Sequence, residues 1–211
     1  MVIRNQSLNP EKLLAAVRLF GETMEQHLTD TLMQNHPEIA VLDSSKMPPD
    51  KQNRVIPFGA RTWHTDHTNH ECPPKYTALY AVNLPSSGGD TSFANMHFAF
   101  ASLPQGEQAS LQKLQTVNKI EDFGYISAEA QIKFGSLPIH PLIRTHPETG
   151  KKAIYVHPGK VERIVGQETE VSQAFIRNLL ERVITPENTY RHQWQLGDLL
   201  ICDNRAVLHK A

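Results

Sequence analysis

The chain has 211 residues, with 21 lysines and arginines against 22 aspartates and glutamates. This length suits one domain with a sizeable core, and the balanced charge lacks the basic stripe of a nucleic-acid-binding protein. The sequence contains neither an apolar run near the roughly 18 residues of a membrane helix nor a signal-peptide core, so we expect a cytoplasmic protein that does not enter the membrane. With two cysteines and eleven histidines, a metal site would use nitrogen and oxygen ligands.

The first half of the chain predicts two helices and three strands. Asn9 and Pro10 fit the N-cap and first position of a helix that continues through KLLAAVRLF and ends at Gly21. The run EIAVLD predicts a strand beside a Pro-rich loop, and KYTALYAVNL (75–84) predicts a longer strand that stops at the turn sequence PSSGGD. TSFANM then predicts a short strand, after which Asn95 can cap a helix.

The second half predicts two pairs of strands and a long helix. We interpret 104–136 as a mobile insertion, because its helical and polar stretches have no clear period. HPLIRTHPETGKKAIYVHP predicts two strands joined by a turn at Pro147–Gly150. TEVSQAFIRNLLERVI predicts a helix, and YRHQWQLGDLLICDNRAVLH predicts two strands broken at Gly197–Asp198. The apolar face of that helix is predicted to consist of Val171, Phe175, Ile176, Leu179, Leu180 and Val183.

These elements favour a mainly β fold with flanking helices. Short strands separated by turns, with helices on the outside, are typical of a β-sandwich or jelly roll rather than of a βαβ array. The sequence has no internal repeat and no low-complexity segment. We therefore expect a single domain over residues 1–211.

The stretch WHTDHTN is the candidate metal site. If Trp63–His70 is extended, His64 and Asp66 point to one face and His67 to the other. A second histidine would complete the 2-His-1-carboxylate triad that binds Fe(II) and leaves coordination positions open. A His-x-Asp tripeptide alone is a weak signal, so its neighbours decide. The remaining histidines, among them His70, His140, His146, His157 and His192, are interpreted as surface or hydrogen-bonded side chains.

Three blocks of the sequence are similar to one known family. WHTDHTNHECPPKYTALYAVNLPSSGGDTSFANM, HPLIRTHPETGKKAIYVHPGKVERIVG and WQLGDLLICDNRAVLHKA resemble the taurine/chlorophenoxyacetate dioxygenase (TauD/TfdA) family in consistent order. The resemblance implies a double-stranded β-helix (jelly roll) and makes His64, Asp66 and His209 the metal ligands. It also implies that Thr91 contacts a carboxylate of 2-oxoglutarate. Asp203, Asn204 and Arg205 match a family segment that would support the strand carrying His209.

By this resemblance the protein is an Fe(II)- and 2-oxoglutarate-dependent dioxygenase. It would use O2 to hydroxylate a small, anionic organic substrate and would release succinate and CO2. The protein would supply ligand geometry, orientation of the substrate and a dry pocket. The first alternative is a catalytically impaired metal-binding fragment. The second is a zinc-dependent hydrolase, which is disfavoured because HTDH lacks a further upstream histidine.

The resemblance is expected to be incomplete at both ends of the chain. The family has a longer first segment, and it has an arginine after the distal histidine that pairs with 2-oxoglutarate. Only Lys210 and Ala211 follow His209 here. We therefore expect a jelly roll that is incomplete at the C-terminus, with exposed apolar surface, and a chain that binds metal but turns over poorly.

Substitutions around the implied substrate site argue against taurine as the substrate. Gln26, Ala60 and Lys160 stand where taurine dioxygenase has a histidine, an asparagine and a pocket phenylalanine. Lys160 is interpreted first as a surface lysine, with an anion clamp inside a pocket as the alternative. His67 and Lys160 are the candidate substrate-binding residues. The sequence leaves open whether the protein forms a homo-oligomer.

Overall fold

The computed structural model describes residues 1–26, 31–43, 62–120 and 135–211. Within them the α-helices are α1 (Pro10–Val17), α2 (Met96–Ala101), α3 (Gln105–Leu111) and α4 (Thr169–Val183). The strands are β1 (Val2–Ile3), β2 (Leu32–Met33), β3 (His36–Ala40), β4 (Tyr76–Tyr80), β5 (Thr91–Asn95), β6 (Gln115–Asn118), β7 (Ile139–Pro141), β8 (Ile143–Thr145), β9 (Lys152–Ile154), β10 (Val161–Ile164), β11 (Thr189–His192), β12 (Leu199–Asp203) and β13 (Val207–Lys210).

The described part of the chain is mostly β, and its strands pair antiparallel. Two three-stranded sheets position the candidate site, one in the order β1-β12-β4 and the other in the order β11-β5-β13. A third sheet has the order β10-β6-β7, and β2-β3 and β8-β9 form two-stranded ribbons. Because β12 leads directly into β13, the first two sheets are joined close to the C-terminal residues.

The main core lies where α2 and α4 cover the strands. Asn95 ends β5, and its side chain accepts hydrogen bonds from the backbone N–H groups of His97 and Phe98, both at 3.1 Å, so that α2 begins at the next residue. This helix packs against β9, and α4 packs against β10. The largest core residues that are almost fully buried include Met96, Leu142, Ile154, Ile176, Leu179 and Leu208.

Several local predictions are confirmed. Asn9 accepts a hydrogen bond from the backbone N–H of Lys12 at 2.9 Å and caps α1, with Pro10 as its first residue. Helix α4 lies within the predicted segment. The turn predicted at Pro147–Gly150 joins β8 to β9, which pair antiparallel. These elements depend on signals within a few residues, which is why the sequence alone identifies them.

Other predictions need correction. The last block contains three strands rather than two, because the chain turns a second time at 204–206 between β12 and β13. The face of α4 is narrower than predicted, since Val171 is 59% exposed and Phe175 is 36% exposed. No helix in the described ranges is long and apolar enough to cross a membrane.

The segment 104–136, predicted as a mobile insertion, is only partly described. Its first part forms α3 and β6, and β6 is the central strand of the β10-β6-β7 sheet. Leu111 of α3 belongs to the main core. Residues 121–134 lie outside the described residues, and mobility stays a prediction.

Candidate metal centre

His64 and His209 face each other across a short antiparallel bridge. The backbone N–H of His64 donates to the carbonyl of His209 at 2.9 Å, and the N–H of His209 donates to the carbonyl of His64 at 2.7 Å. Their ring centroids are 4.2 Å apart. Strand β13 is held by β5, where Phe93 is the register partner of His209. The sheet therefore fixes His209, and the bridge fixes His64 against it.

Asp66 completes the cluster from a turn. The extended conformation supposed for Trp63–His70 holds only as far as Thr65, because residues 66–69 form a turn in which His67 has a φ of 55°. Thr65 is fully buried and its hydroxyl donates to the carbonyl of Asn204 at 2.7 Å. The chain therefore folds back at Asp66, and His64 and Asp66 still meet as predicted, although by a turn and not by strand alternation.

The three side chains form one compact donor set. Oδ1 of Asp66 lies 3.7 Å from Nε2 of His64, and Oδ2 lies 3.8 Å from Nε2 of His209. One ligand atom from each residue lies within 4.8 Å of the other two. Two atoms that each lie about 2.0–2.2 Å from one ion are at most roughly 4.4 Å apart. The measured nitrogen–oxygen separations therefore fit a shared divalent cation.

The protonation states also fit a metal. Burial raises the pKa of Asp66, but His209, His64, His67 and the hydrogen bond from Thr77 outweigh burial and hold the pKa below its usual range. Burial lowers the pKa of His209 to about 4, against the opposing charge of Asp66. At neutral pH the carboxylate is charged and this imidazole is neutral, and these are the forms that bind metal.

The tautomer of His64 is set by its backbone neighbour. Nδ1 of His64 lies 2.9 Å from the carbonyl oxygen of Thr62, which can only accept, so Nδ1 carries the proton. The lone pair is then on Nε2, which is the atom nearest to Asp66. Such an outer hydrogen bond orients a metal-binding histidine and raises its basicity. The residues present therefore fit a metal ion held by two imidazoles and one carboxylate.

A row of hydrogen bonds supports Asp66 from the neighbouring sheet. Thr77 on β4 donates its hydroxyl proton to Oδ2 of Asp66 at 2.5 Å. The side-chain amide of Asn204 donates to the Thr77 hydroxyl at 2.8 Å, and the backbone carbonyl of Asn204 accepts from the Thr65 hydroxyl. Asn204 was predicted to lie in a supporting segment, but Thr77 was not predicted, because a threonine within a strand is ordinary.

Thr91 lies on the same face of β5 as the cluster. It is two residues from Phe93, whose ring stacks on His209 with centroids 6.0 Å apart. Thr91 is buried, and its hydroxyl accepts a hydrogen bond from Nε1 of Trp194 at 2.9 Å. Because Trp194 supplies the donor, the hydroxyl proton of Thr91 is directed elsewhere. No role was predicted for Trp194 from the sequence.

The structure contradicts the interpretation of Lys160 as a surface lysine. Lys160 is 4% exposed, and its Nζ donates to Oδ1 of Asn69 at 2.7 Å. Lys160 lies in the turn that comes directly after His157, and the ring of His157 lies 5.0 Å from that of His64. This hydrogen bond to Asn69, which is on the turn that carries Asp66, offsets part of the cost of burying the ammonium group. No role was predicted for Asn69, and His157 was interpreted only as a surface or hydrogen-bonded histidine.

His67 occupies the same region. Its Nε2 lies 3.2 Å from Oε1 of Gln26, and its ring lies 5.4 Å from that of His70. Burial and then the charge of Lys160 lower the pKa of His67 to about 4, although Asp66 acts in the opposite direction. Gln26 and Lys160, which were compared with the substrate site of taurine dioxygenase, thus lie in one neighbourhood with the candidate substrate-binding residue His67. Ala60 lies outside the described residues.

The Asp203–Arg205 segment forms a charged cluster behind the site. The guanidinium of Arg205 pairs with Asp203 at 2.6 Å and with Glu148 at 3.0 Å, and it lies over the ring of Tyr76. Nε2 of His146 contacts Asp203 at 3.0 Å. These contacts tie the β8–β9 turn to the chain reversal between β12 and β13, so the segment supports the strand that carries His209.

A match to a protein-family model shows which family the chain with this donor set belongs to. The model described as "Taurine catabolism dioxygenase TauD, TfdA family" matches residues 1–211. The chain belongs to this family. Its members are dioxygenases that depend on Fe(II) and 2-oxoglutarate, which is also called alpha-ketoglutarate. The chain is accordingly an enzyme of the 2-oxoglutarate-dependent dioxygenase class, and the His64, Asp66 and His209 set suits the iron cofactor.

Individual relatives agree with this assignment. The chain is 29% identical over 225 residues to an alpha-ketoglutarate-dependent 2,4-dichlorophenoxyacetate dioxygenase of Burkholderia sp. (strain RASC), covering 100% of this chain and 75% of the relative. It is 36% identical over 165 residues to an alpha-ketoglutarate-dependent sulfate ester dioxygenase of Pseudomonas putida, covering 72% of this chain and 54% of the relative. The crystal structure of a taurine dioxygenase from Burkholderia xenovorans matches with a TM-score of 0.77 and 30% identity, covering 99% of this chain and 67% of that one.

Proposed function

We propose that the protein hydroxylates a small, anionic organic substrate with O2 and 2-oxoglutarate, and that His64, Asp66 and His209 hold the iron. The single observation that carries the proposal is the convergence of these three donors within 4.8 Å of one another, in a chain of this dioxygenase family. The relatives named above act on a phenoxyacetate, sulfate esters and taurine by their names, and all of these are small and carry an anionic group.

The chain's own residues prepare the site for this reaction. Bound Fe(II) and 2-oxoglutarate supply the oxidising chemistry, in which one oxygen atom of O2 enters a substrate C–H bond and the other enters succinate as CO2 leaves. His209 presents a neutral imidazole, Asp66 presents a carboxylate, and His64 directs its Nε2 toward Asp66. We assign to Thr91 the donation of its hydroxyl proton to a carboxylate of 2-oxoglutarate, because Trp194 already fills an acceptor position of that hydroxyl.

The proposal extends to the architecture that carries the site. The two antiparallel sheets β1-β12-β4 and β11-β5-β13 support a double-stranded β-helix (jelly roll). In that arrangement His209 and Thr91 come from adjacent strands of one sheet, while Asp66 is supported from the other through Thr77. We infer that residues 1–211 belong to one such domain.

Anaerobic titration tests the proposal. Fe(II) is added to the protein with 2-oxoglutarate, and the weak visible charge-transfer band of the chelate is recorded together with the Fe(II) affinity. His64→Ala, Asp66→Ala and His209→Ala should each abolish the band and severely weaken iron binding. His70→Ala, a change four residues from Asp66 on the same turn, should leave iron affinity intact. A wild-type protein that binds Fe(II) without forming the band would contradict the proposal.

Turnover is measured in the same preparation. The release of CO2 from labelled 2-oxoglutarate reports the reaction without knowledge of the substrate, because some uncoupled decarboxylation accompanies an assembled site. Decarboxylation that persists in all three ligand variants would show that the iron lies elsewhere in the chain.

A further inference from the structure

Lys160 places an ammonium group inside the protein beside the metal centre. The residue is 4% exposed, and its Nζ is 2.7 Å from Oδ1 of Asn69. Lysine is among the residues least often buried, because removing the ammonium group from water is costly. A lysine kept in such a place therefore needs a structural or a functional reason.

Asn69 carries a second, independent signal. It is 1% exposed, and its Oδ1 accepts from Lys160, but in the described part of the chain its Nδ2 has no hydrogen-bond partner. The neighbouring hydroxyl of Thr68, which is fully buried, has none there either. A buried donor without a partner is costly, because it has lost its hydrogen bonds to water, so native proteins keep few of them. The N–H group of the Asn69 amide is thus available to an acceptor other than those that the described residues supply.

These groups lie next to the iron ligands on two separate segments. Asn69 is on the turn that begins at Asp66, and this turn is fixed because Nε2 of His140 lies 3.0 Å from the Thr68 carbonyl. Lys160 is in the turn after β9, where its backbone N–H donates to the carbonyl of His157 at 2.9 Å. The ring of His157 is 5.0 Å from that of His64. Lys160 and Asn69 therefore come from two segments that both adjoin the residues of the donor set.

We infer that Lys160 and Asn69 form a subsite that binds the anionic head group of the organic substrate and directs its carbon chain toward the iron. The inference rests on the proposed function, since it names the feature by which that site would select its substrate. The ammonium supplies charge, and the amide supplies a directed N–H. The ligand class is an organic oxyanion with at least two acceptor oxygens, which includes carboxylates, sulfonates and sulfate esters.

The test compares an anion with a neutral analogue of the same shape. Protein loaded with Fe(II) and 2-oxoglutarate is kept anaerobic, and binding is measured by calorimetry for two pairs of probes. The pairs are phenoxyacetate with phenoxyacetamide, and hexanesulfonate with hexanesulfonamide. In at least one pair the anion should bind roughly tenfold or more tightly than its neutral analogue, as expected for hydrogen bonds to a charged group. The pair that shows the preference distinguishes a carboxylate substrate from a sulfonate or sulfate substrate.

Two variants assign the preference to these residues. Lys160→Met keeps the length of the side chain but removes its charge, and it should abolish the preference while Fe(II) and 2-oxoglutarate affinities stay unchanged. Asn69→Asp keeps the acceptor for Lys160 and the shape of the side chain, and it places a negative charge where the anion would bind. It should reduce anion affinity roughly tenfold or more even if Lys160→Met does not fold. Lys151→Met removes an exposed lysine and serves as the matched control.

Each outcome decides the inference separately from the proposed function. Equal affinities for anion and neutral analogue in the wild-type protein, or a preference that survives in Lys160→Met or Asn69→Asp, would overturn the subsite. Normal Fe(II) and 2-oxoglutarate binding in the same experiment would leave the proposed function standing. If the protein binds neither, the proposed function fails, and the same probe pairs on metal-free protein still decide whether the subsite exists.

Discussion

The hydroxyl of Thr77 holds Oδ2 of Asp66 at 2.5 Å, so a strand of the β1-β12-β4 sheet controls a ligand that is carried by a turn. The side-chain amide of Asn204 donates to the oxygen of the same hydroxyl at 2.8 Å. The hydroxyl proton of Thr77 is therefore directed at the carboxylate of Asp66. Turns are more easily displaced than paired strands. The hydrogen bond therefore transfers the rigidity of β4 to the metal centre.

Thr77→Val tests this support. Valine has the shape of threonine but cannot donate to Asp66 or accept from Asn204, so we expect Fe(II) affinity to fall roughly 10- to 100-fold, as for other groups that orient metal ligands. The measurement is anaerobic Fe(II) titration. Thr77→Ser retains the hydroxyl and should bind iron nearly as the wild-type protein does. An unchanged affinity in Thr77→Val would mean that the turn holds Asp66 without help.

Thr91→Ala tests the assignment of the 2-oxoglutarate contact. Removal of a hydroxyl that donates to a carboxylate should weaken 2-oxoglutarate binding about tenfold or more. Iron affinity should not change, because Thr91 is outside the donor set. The measurement is 2-oxoglutarate titration of the Fe(II)-loaded protein, with Thr91→Ser as the variant that keeps the hydroxyl. Full 2-oxoglutarate affinity in Thr91→Ala would show that the assignment is wrong.

Asp203 should make stability depend on pH in the acid range. Burial raises the pKa of Asp203, but hydrogen bonds from Arg205 and His146 outweigh burial and lower the pKa from 3.8 to about 2. Because the folded state binds this proton less readily than the unfolded state, the stabilising contribution is complete above about pH 4. It is lost as the pH falls toward 2.

We expect Asp203→Asn to lower the free energy of unfolding at pH 7 by about 1–3 kcal/mol. The difference from wild type should shrink as the pH approaches 2. Urea unfolding at several pH values measures both effects. Asp90→Asn is the control, because Asp90 pairs with Arg191, which is 70% exposed, and such surface pairs contribute about 0–1 kcal/mol. A difference between wild type and Asp203→Asn that did not vary with pH would refute the role of the charge.

The two faces of α4 give a test of packing. Ile176 is fully buried in the main core, whereas Phe175 is 36% exposed. Ile176→Ala should lower the free energy of unfolding by about 2–5 kcal/mol, and Phe175→Ala should cost about 1 kcal/mol or less. Chemical denaturation of both variants measures the contrast. Equal losses would place Phe175 against a surface that covers it in solution.

Signals within a few residues were sufficient for much of the fold. Asn9 and Asn95 cap their helices as predicted, since the cap hydrogen bonds reach only two or three residues along the chain. The periodic run in α4 also identified its helix, but the sequence could not give the width of the buried face. That width depends on β10 and the core, which leave Val171 and Phe175 at the margin.

The candidate site shows where such reasoning stops. The His-x-Asp spacing together with the family resemblance pointed to His64, Asp66 and His209, and the structure brings these three together. The sequence did not give the turn at His67, because buried partners distant in sequence hold residues 66–69. Lys160 was expected at the surface because lysine usually lies there, and only its contact with Asn69 reveals the exception.

The reciprocal backbone bridge between His64 and His209 also bears on how the protein folds. These residues are far apart in sequence, so the donor set exists only after β13 has joined its sheet and the segment before Asp66 has closed against it. An unfolded chain has no preformed ion site, and cation binding therefore favours the native state by mass action. At a free concentration 100 times its dissociation constant, the ion would add about 2.7 kcal/mol. Iron supply would then set part of the equilibrium stability of the folded enzyme as well as support its catalysis.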